Sequence, residues 1–244
     1  MKDKFYQLAF WTLLLAVLFF ALLKVGYQWN WVALAPYWGR FVEGWFNTLL
    51  ISIVALVLSF ALGLLLALGQ KSTFNLLKIA SEQWVGLIRG TPLLVQLLIF
   101  YYVIANAFGF ENRWFLAVLI LSNFSAAYVS EILRAAINGI PMSQKDAARA
   151  MGLSRYQIFR WVIFPQMIKA SLPALAGQFS SIIKDSSLLS VIAVSELTLN
   201  SQEINSVTYS TLEIYLPLAL GYLSLTLPIA YVAKKLERSL RYEN

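Results

Sequence analysis

Apolar residues in this chain fall into long runs rather than strict alternation, and the runs set the architecture. Leu8–Leu23 is the first, with ends that extend to Phe5 and Val25. Thr48–Leu68, Thr91 to about Ala105, Trp114–Leu133, Val162 to about Ile183 and Leu212–Val232 follow. Each approaches the roughly 20 residues that a helix needs to cross a bilayer. Polar stretches separate them: a return over Gln70–Ile88, a short loop at Asn106–Arg113, and a long loop at Arg134–Trp161. The pattern predicts an all-α polytopic membrane protein of about six transmembrane helices, with both termini on one side.

Local signals refine this picture. Thr91–Pro92 reads as an N-cap followed by the first helical residue. Tyr27, Trp29, Trp31, Tyr37 and Trp38 cluster around Pro36, which predicts an aromatic belt with a short helix on the outer interface. Asp185, Ser186 and Ser187 open a short apolar pattern ending at Leu197, as an N-cap cluster does. Lys2 and Lys4 before an apolar run also suit a signal peptide. No small-x-small cleavage site follows and the run ends at Lys24, so a retained first helix is expected.

Composition supports the membrane reading: 59% of the 244 residues are hydrophobic and the mean hydropathy is +0.68. The net charge of +7 would raise nucleic acid as a partner for a soluble protein. Here fourteen Lys/Arg fall on the side of the termini and the long loop, and four fall on the other side. That bias places the termini and the long loop in the cytoplasm, in a multi-pass inner-membrane protein, and removes the case for nucleic acid. The chain has no Cys and no His, which excludes disulfides, thiolate or imidazole metal sites and Cys or His catalysis. Gly63…Gly69–Gln70–Lys71–Ser72 misses the P-loop spacing and ends an apolar helix. Any ATP must bind another subunit.

The long loop carries the most specific pattern. Asp146–Ala147–Ala148–Arg149–Ala150–Met151–Gly152 is followed after nine residues by Val162–Ile163–Phe164–Pro165. Gly152 permits a turn that a Cβ resists, and Ser154 can cap a second helix decorated by Arg155, Tyr156 and Arg160. The loop therefore reads as two short helices bent at Gly152. A solvated connector is the plainer alternative. The spacing resembles the EAA loop of ABC-transporter permeases, with Asp146 in place of Glu and Ala147, Ala148, Gly152 and Pro165 matching outright. Arg89–Gly90–Thr91–Pro92–Leu93–Leu94–Val95–Gln96 and Lys184–Asp185–Ser186–Ser187–Leu188–Leu189–Ser190–Val191–Ile192 extend the similarity to the polar amino-acid branch of that family, over roughly residues 44–235.

The resemblance implies a type I importer core of five helices plus one N-terminal helix. It divides the chain into an N-terminal helix and outer segment over 1–43, a permease domain over 44–235 with its coupling loop at about 134–161, and a basic tail over 236–244. It implies a second permease subunit, a cytoplasmic ATPase dimer that binds ATP and Mg, an external substrate-binding protein and an amino-acid substrate. Asp146, Ala147, Ala148, Arg149, Gly152, Arg155 and Pro165 then form the ATPase-coupling set. No cofactor, metal or catalytic residue is expected on this chain itself. The rival classes are an ion-coupled secondary transporter and a membrane scaffold for a cytoplasmic enzyme.

Polar groups at membrane depth are the candidate substrate path, because burying them is costly. They are Thr91, Gln96, Asn123, Gln178, Asp185, Ser186, Ser187 and Glu196. For Asn123 the alternatives are an interhelical hydrogen bond and a cavity lining. The Asp185–Ser187 segment would either meet substrate or act as a gate or cap. Asp185 and Glu196 would lie about 16 Å apart on one helical face, if one helix carries both. Glu131 is expected to pair with Arg134 at i+3, and Lys169 can snorkel to the cytoplasmic face.

Overall fold

The computed structural model describes residues 2–241. Among them the order is α1 Lys2–Val25, a 3₁₀ segment Trp31–Tyr37 leading into α2 Trp38–Gly69, α3 Asn75–Gly90, and α4 Leu93–Leu98 continuing as a π-helix over Ile99–Ala105. Next come α5 Arg113–Gly139, α6 Met142–Ala150, and α7 Arg155–Gln157, which passes through π-helical Ile158–Ile163 into α8 Phe164–Asp185. A 3₁₀ segment Ser186–Ile192, α9 Leu197–Thr208 and α10 Thr211–Arg241 complete the chain. The all-α expectation holds, and the aromatic cluster does form a short helix before α2.

The core is built on α2 and α5. Small residues on α2 recur every three or four positions on its buried face: Gly44, Thr48, Ser52, Ala55, Ser59, Gly63 and Ala67. In a bilayer this matters more than apolarity, because lipid tails are as apolar as leucine and only close packing favours helix association. Gly63 shows how close: a Cβ there would sit 2.7 Å from Val129 Cγ1 and 2.9 Å from the Ala126 carbonyl oxygen. The near-miss P-loop glycines are therefore packing residues. A buried apolar cluster of Ile51, Ala55, Leu97, Leu121, Ile182 and Leu189 joins α2, α4, α5, α8 and the 3₁₀ segment after α8.

Among the described residues, three helical stretches are long and apolar enough to cross a membrane: Trp31–Gly69, Arg113–Gly139 and Thr211–Arg238. A fourth crossing is possible if α3 and the Leu93–Ala105 helix, bent by 108°, count as one. The helix expected from Thr91 to about Ala105 is found, one residue late at its start. It starts at Leu93 and covers about 20 Å at 1.5 Å per residue. Thr91 does not cap it, because the Thr91 hydroxyl donates backward to the Leu87 carbonyl at 2.9 Å. Beyond 235 the basic segment stays helical to Arg241, and residues 242–244 lie outside the description.

The linker after α1 is fastened to the start of α10. Tyr27 donates its hydroxyl to Glu213, the Asn30 N–H donates to the same carboxylate, and the Leu212 N–H donates to the Tyr27 hydroxyl at 3.2 Å. Glu213 is fully buried. By contrast, Tyr6, Phe10, Leu13, Val17 and Phe20 on α1 are all more than half exposed.

Candidate functional site

The two-helix reading of the long loop is realised, with shorter connections than expected. α5 runs six residues past Leu133, to Gly139. Ile140–Pro141 then redirects the chain into α6. α6 closes in a Schellman turn: the Gly152 N–H donates to the Arg149 carbonyl at 2.9 Å, and the Leu153 N–H donates to the Ala148 carbonyl at 3.2 Å. Gly152 has φ +78°, the left-handed region where a Cβ is unfavourable. Ser154 then forms a reciprocal capping box with Gln157: the Ser154 N–H donates to Oε1 at 2.8 Å and the Gln157 N–H donates to the Ser154 hydroxyl at 3.3 Å. From Arg155 the helix runs unbroken to Asp185, so the second short helix is the start of a membrane helix. Pro165 lies inside this continuous helix, immediately after the π-turn at 158–163, and supplies no N–H to its ladder.

This unit is rigid inside and available outside. Ala148 is buried, and Gln166 Nε2 donates to Gln144 Oε1 at 2.7 Å, tying α8 to α6. Lys145 Nζ donates to the Ile137 carbonyl at 3.3 Å, tying α6 to the last turn of α5. Lys71, from the end of α2, donates to Asn138 on the same turn. Burial, with Lys145 and Arg134 nearby, holds the Lys71 ammonium below its usual range. Facing outward are Met142, Met151, Tyr156 and Trp161, between 58% and 73% exposed, together with Arg149 and Arg155. Asp146 and Arg149 pair at 2.8 Å on the exposed face. Large apolar side chains rimmed by paired charge suit a protein partner. Of the expected coupling set, Asp146, Ala147, Ala148 and Arg149 lie on α6, Gly152 makes the turn after it, and Arg155 and Pro165 lie on the continuous helix that follows.

The candidate path residues divide. Asn123 accepts from Trp84 Nε1 at 3.1 Å, and Gln178 donates to Ser125 at 3.1 Å. Both are interhelical bonds, although the Asn123 amide nitrogen is buried without a partner among the described residues. Gln96 is buried and staples the α3–α4 bend by donating to the Ile88 carbonyl at 2.7 Å and to the Thr91 hydroxyl at 2.8 Å.

The expected helix start at Asp185–Ser187 does not exist. α8 continues into 3₁₀ geometry, and Asp185 caps nothing. Ser186 and Ser187 instead donate back to the Ile183 and Lys184 carbonyls, at 2.8 and 2.7 Å. That choice satisfies the end of one helix rather than the beginning of another. The break comes later, at Ala193 with φ +55°. Asp185 and Glu196 therefore do not share a helical face. Asp185 is half-buried, and no hydrogen bond or ion pair to its carboxylate is found among the described residues. Glu196 is fully buried and caps α9. Its oxygens accept from the Leu199 N–H at 2.7 Å, the Thr198 N–H at 2.8 Å and the Tyr222 hydroxyl at 2.8 Å.

One connection escaped the sequence reading. Glu131 takes both the expected Arg134, at 2.6 Å, and Arg89 from the end of α3, at 3.3 Å. The i,i+3 spacing revealed the first partner; nothing local pointed to the second.

With this geometry established, the similarities are specific. The family described as "Binding-protein-dependent transport system inner membrane component" matches residues 59–242. The chain is 34% identical over 204 residues to the probable glutamine ABC transporter permease protein GlnM of Bacillus subtilis (strain 168), covering 82% of this chain and 94% of that one. It is 34% identical over 201 residues to the arginine transport system permease protein ArtQ of the same organism, covering 82% and 92%. A crystal structure of an amino acid ABC transporter with histidines superposes with a TM-score of 0.79 at 34% identity, over 87% of this chain and 100% of that one.

Proposed function

The chain belongs to the family of binding-protein-dependent transport system inner membrane components, and from that membership we propose that it moves a polar or charged amino acid inward, driven through the α6–Gly152–α7 loop. It is a multi-pass permease subunit of an ABC importer. ATP hydrolysis belongs to a partner subunit. Relatives that carry glutamine and arginine support an amino-acid substrate. The observation that carries the coupling role is the loop itself: a rigid helix–turn–helix tied to α5 and α8, with its apolar and charged tip turned outward.

In this reading the loop receives the motion of a cytoplasmic ATPase dimer and passes it to α5 and α8. A second permease subunit, identical or related, completes the path, and an external binding protein delivers substrate. The loop faces the cytoplasm, as the charge bias requires. Asp185 is the path residue best suited to a substrate ammonium, because its carboxylate is half-buried and uncommitted. Glu196 does not serve that purpose, because its acceptors already hold the α9 backbone.

The test is ATP hydrolysis by the purified transporter, with its binding protein, titrated against a panel of amino acids. Stimulation by one or a few polar amino acids is expected. Uptake driven by an ion gradient without ATP would overturn the proposal.

A further inference from the structure

We propose that Glu131 is a positioning residue for transport: it links the coupling loop to the bent α3–α4 pair, so that α4 follows α6. The inference rests on the coupling role proposed above and adds a route inward from it.

The route is continuous in bonded contacts. α6 is fixed to the last turn of α5 by Lys145 on the Ile137 carbonyl. Rigid α5 then carries Glu131 about two turns before its end. Glu131 reaches across to Arg89 at 3.3 Å, and the Arg89 guanidinium also lies 5.5 Å from the Tyr128 ring centre. Arg89 is next to the end of α3, immediately before the 108° bend. Across that bend Gln96 on α4 donates to the Ile88 carbonyl. An axial or rotational shift of α5 therefore reaches the bend through this carboxylate, which adds the charged link to the Trp84–Asn123 bond and the apolar packing of Ile88 on Ala127.

Glu131 has a second partner, Arg134, held by two bonds at 2.6 and 2.9 Å. That pair lies within α5 and cannot transmit motion between helices. It orients the carboxylate toward Arg89. The two arginines thus make different predictions, and this separates a transmitting role from general stabilisation. Spatial continuity alone does not establish coupling, so the experiment must read the motion of α4 separately from that of α6.

The absence of native cysteine makes this direct. Spin labels are placed at Ser143→Cys on α6 or Val95→Cys on α4, each paired with Val207→Cys on α9, in the transporter purified with its ATPase subunits. All three positions are exposed in the chain. Distances are read before and after trapping the ATPase with ATP and vanadate. With the native ion pair, both distances should shift. In Glu131→Gln the Ser143 distance should still shift, while the Val95 shift should fall at least twofold. Arg89→Gln should behave the same way, Arg89→Lys should restore the shift, and Arg134→Gln should keep most of it. Should Glu131→Gln fail to assemble, the Arg89 pair of variants decides the matter. Native-sized Val95 shifts in Glu131→Gln or in Arg89→Gln would overturn the proposal. Loss of the Ser143 shift in the protein with its native ion pair would instead reject the coupling role of the loop.

Discussion

Gly152 offers the sharpest test of how the loop works, because the structure separates two reasons for needing glycine. Its φ of +78° is unfavourable for any residue with a Cβ. Yet, beyond its own chain neighbours, a Cβ built there meets no described atom within 4 Å. In the isolated chain the cost is therefore conformational and not steric. For an ordinary L-residue it is about 1–2 kcal/mol. That corresponds to roughly a 5–30-fold loss in the population of the native turn. Asn tolerates the left-handed region better than Ala, and a β-branched residue does worst. Coupling should therefore fall in the order Gly152→Asn, Gly152→Ala, Gly152→Val, with membrane insertion unchanged. The assay is ATP-driven uptake in proteoliposomes, with ATPase retention on the purified permease measured alongside. If Asn is as damaging as Val, the open space beside Gly152 is filled by the partner, and contact rather than backbone geometry sets the requirement. Wild-type uptake and ATPase retention by Gly152→Val would refute both.

Other expectations follow from the same geometry. Glu196→Gln should lower stability by about 1–3 kcal/mol, because an amide offers N–H where the α9 backbone needs an acceptor; a thermal melt reads the loss, and the amino-acid profile should stay unchanged. Asp185→Asn should leave the melt nearly unchanged, since the carboxylate caps nothing, but should reduce uptake and shift preference between cationic and neutral amino acids in a competition assay. A cysteine at Asn112 should react with an impermeant reagent from outside and one at Gln144 should not; the reverse result would invert the topology. Tyr27→Phe should loosen α1 from α10, seen as faster proteolysis after Lys24, while ATP-driven uptake persists.

How much of this was legible in the sequence depended on how local each signal was. Gly152, Ser154 and Gln157 lie within six residues of one another, and their turn and cap form as their chemistry dictates. The Glu131–Arg134 pair was legible for the same reason. The apolar runs located the helices, but not every bend or end. α5 outlasts its apolar run because Glu131, the Ile137 carbonyl and Asn138 at its polar end find partners in Arg89 of α3, Lys145 of α6 and Lys71 just after α2. The helix expected from Thr91 ends where the pattern places it and starts one residue late, because Pro92 is extended and Thr91 and Gln96 spend their side chains on the end of α3. Those partners are separated by a bend that no window of hydropathy registers.

Asp185 and Glu196 show why polarity at membrane depth is a weak guide to role. On sequence both carboxylates were path candidates: both flank an apolar stretch and both are costly to bury. Their fates separate on one backbone event. At Ala193 the chain turns left-handed, leaving Glu196 extended ahead of α9, where two orphan N–H groups and the Tyr222 hydroxyl converge on it. At Asp185 no such turn occurs, so no orphan N–H groups face it. A capped carboxylate has used its acceptors on structure and has little left for a ligand. An uncapped one in a half-buried setting retains its charge attraction for an incoming ammonium. The position of the helix break therefore decides which of the two acids is available to substrate.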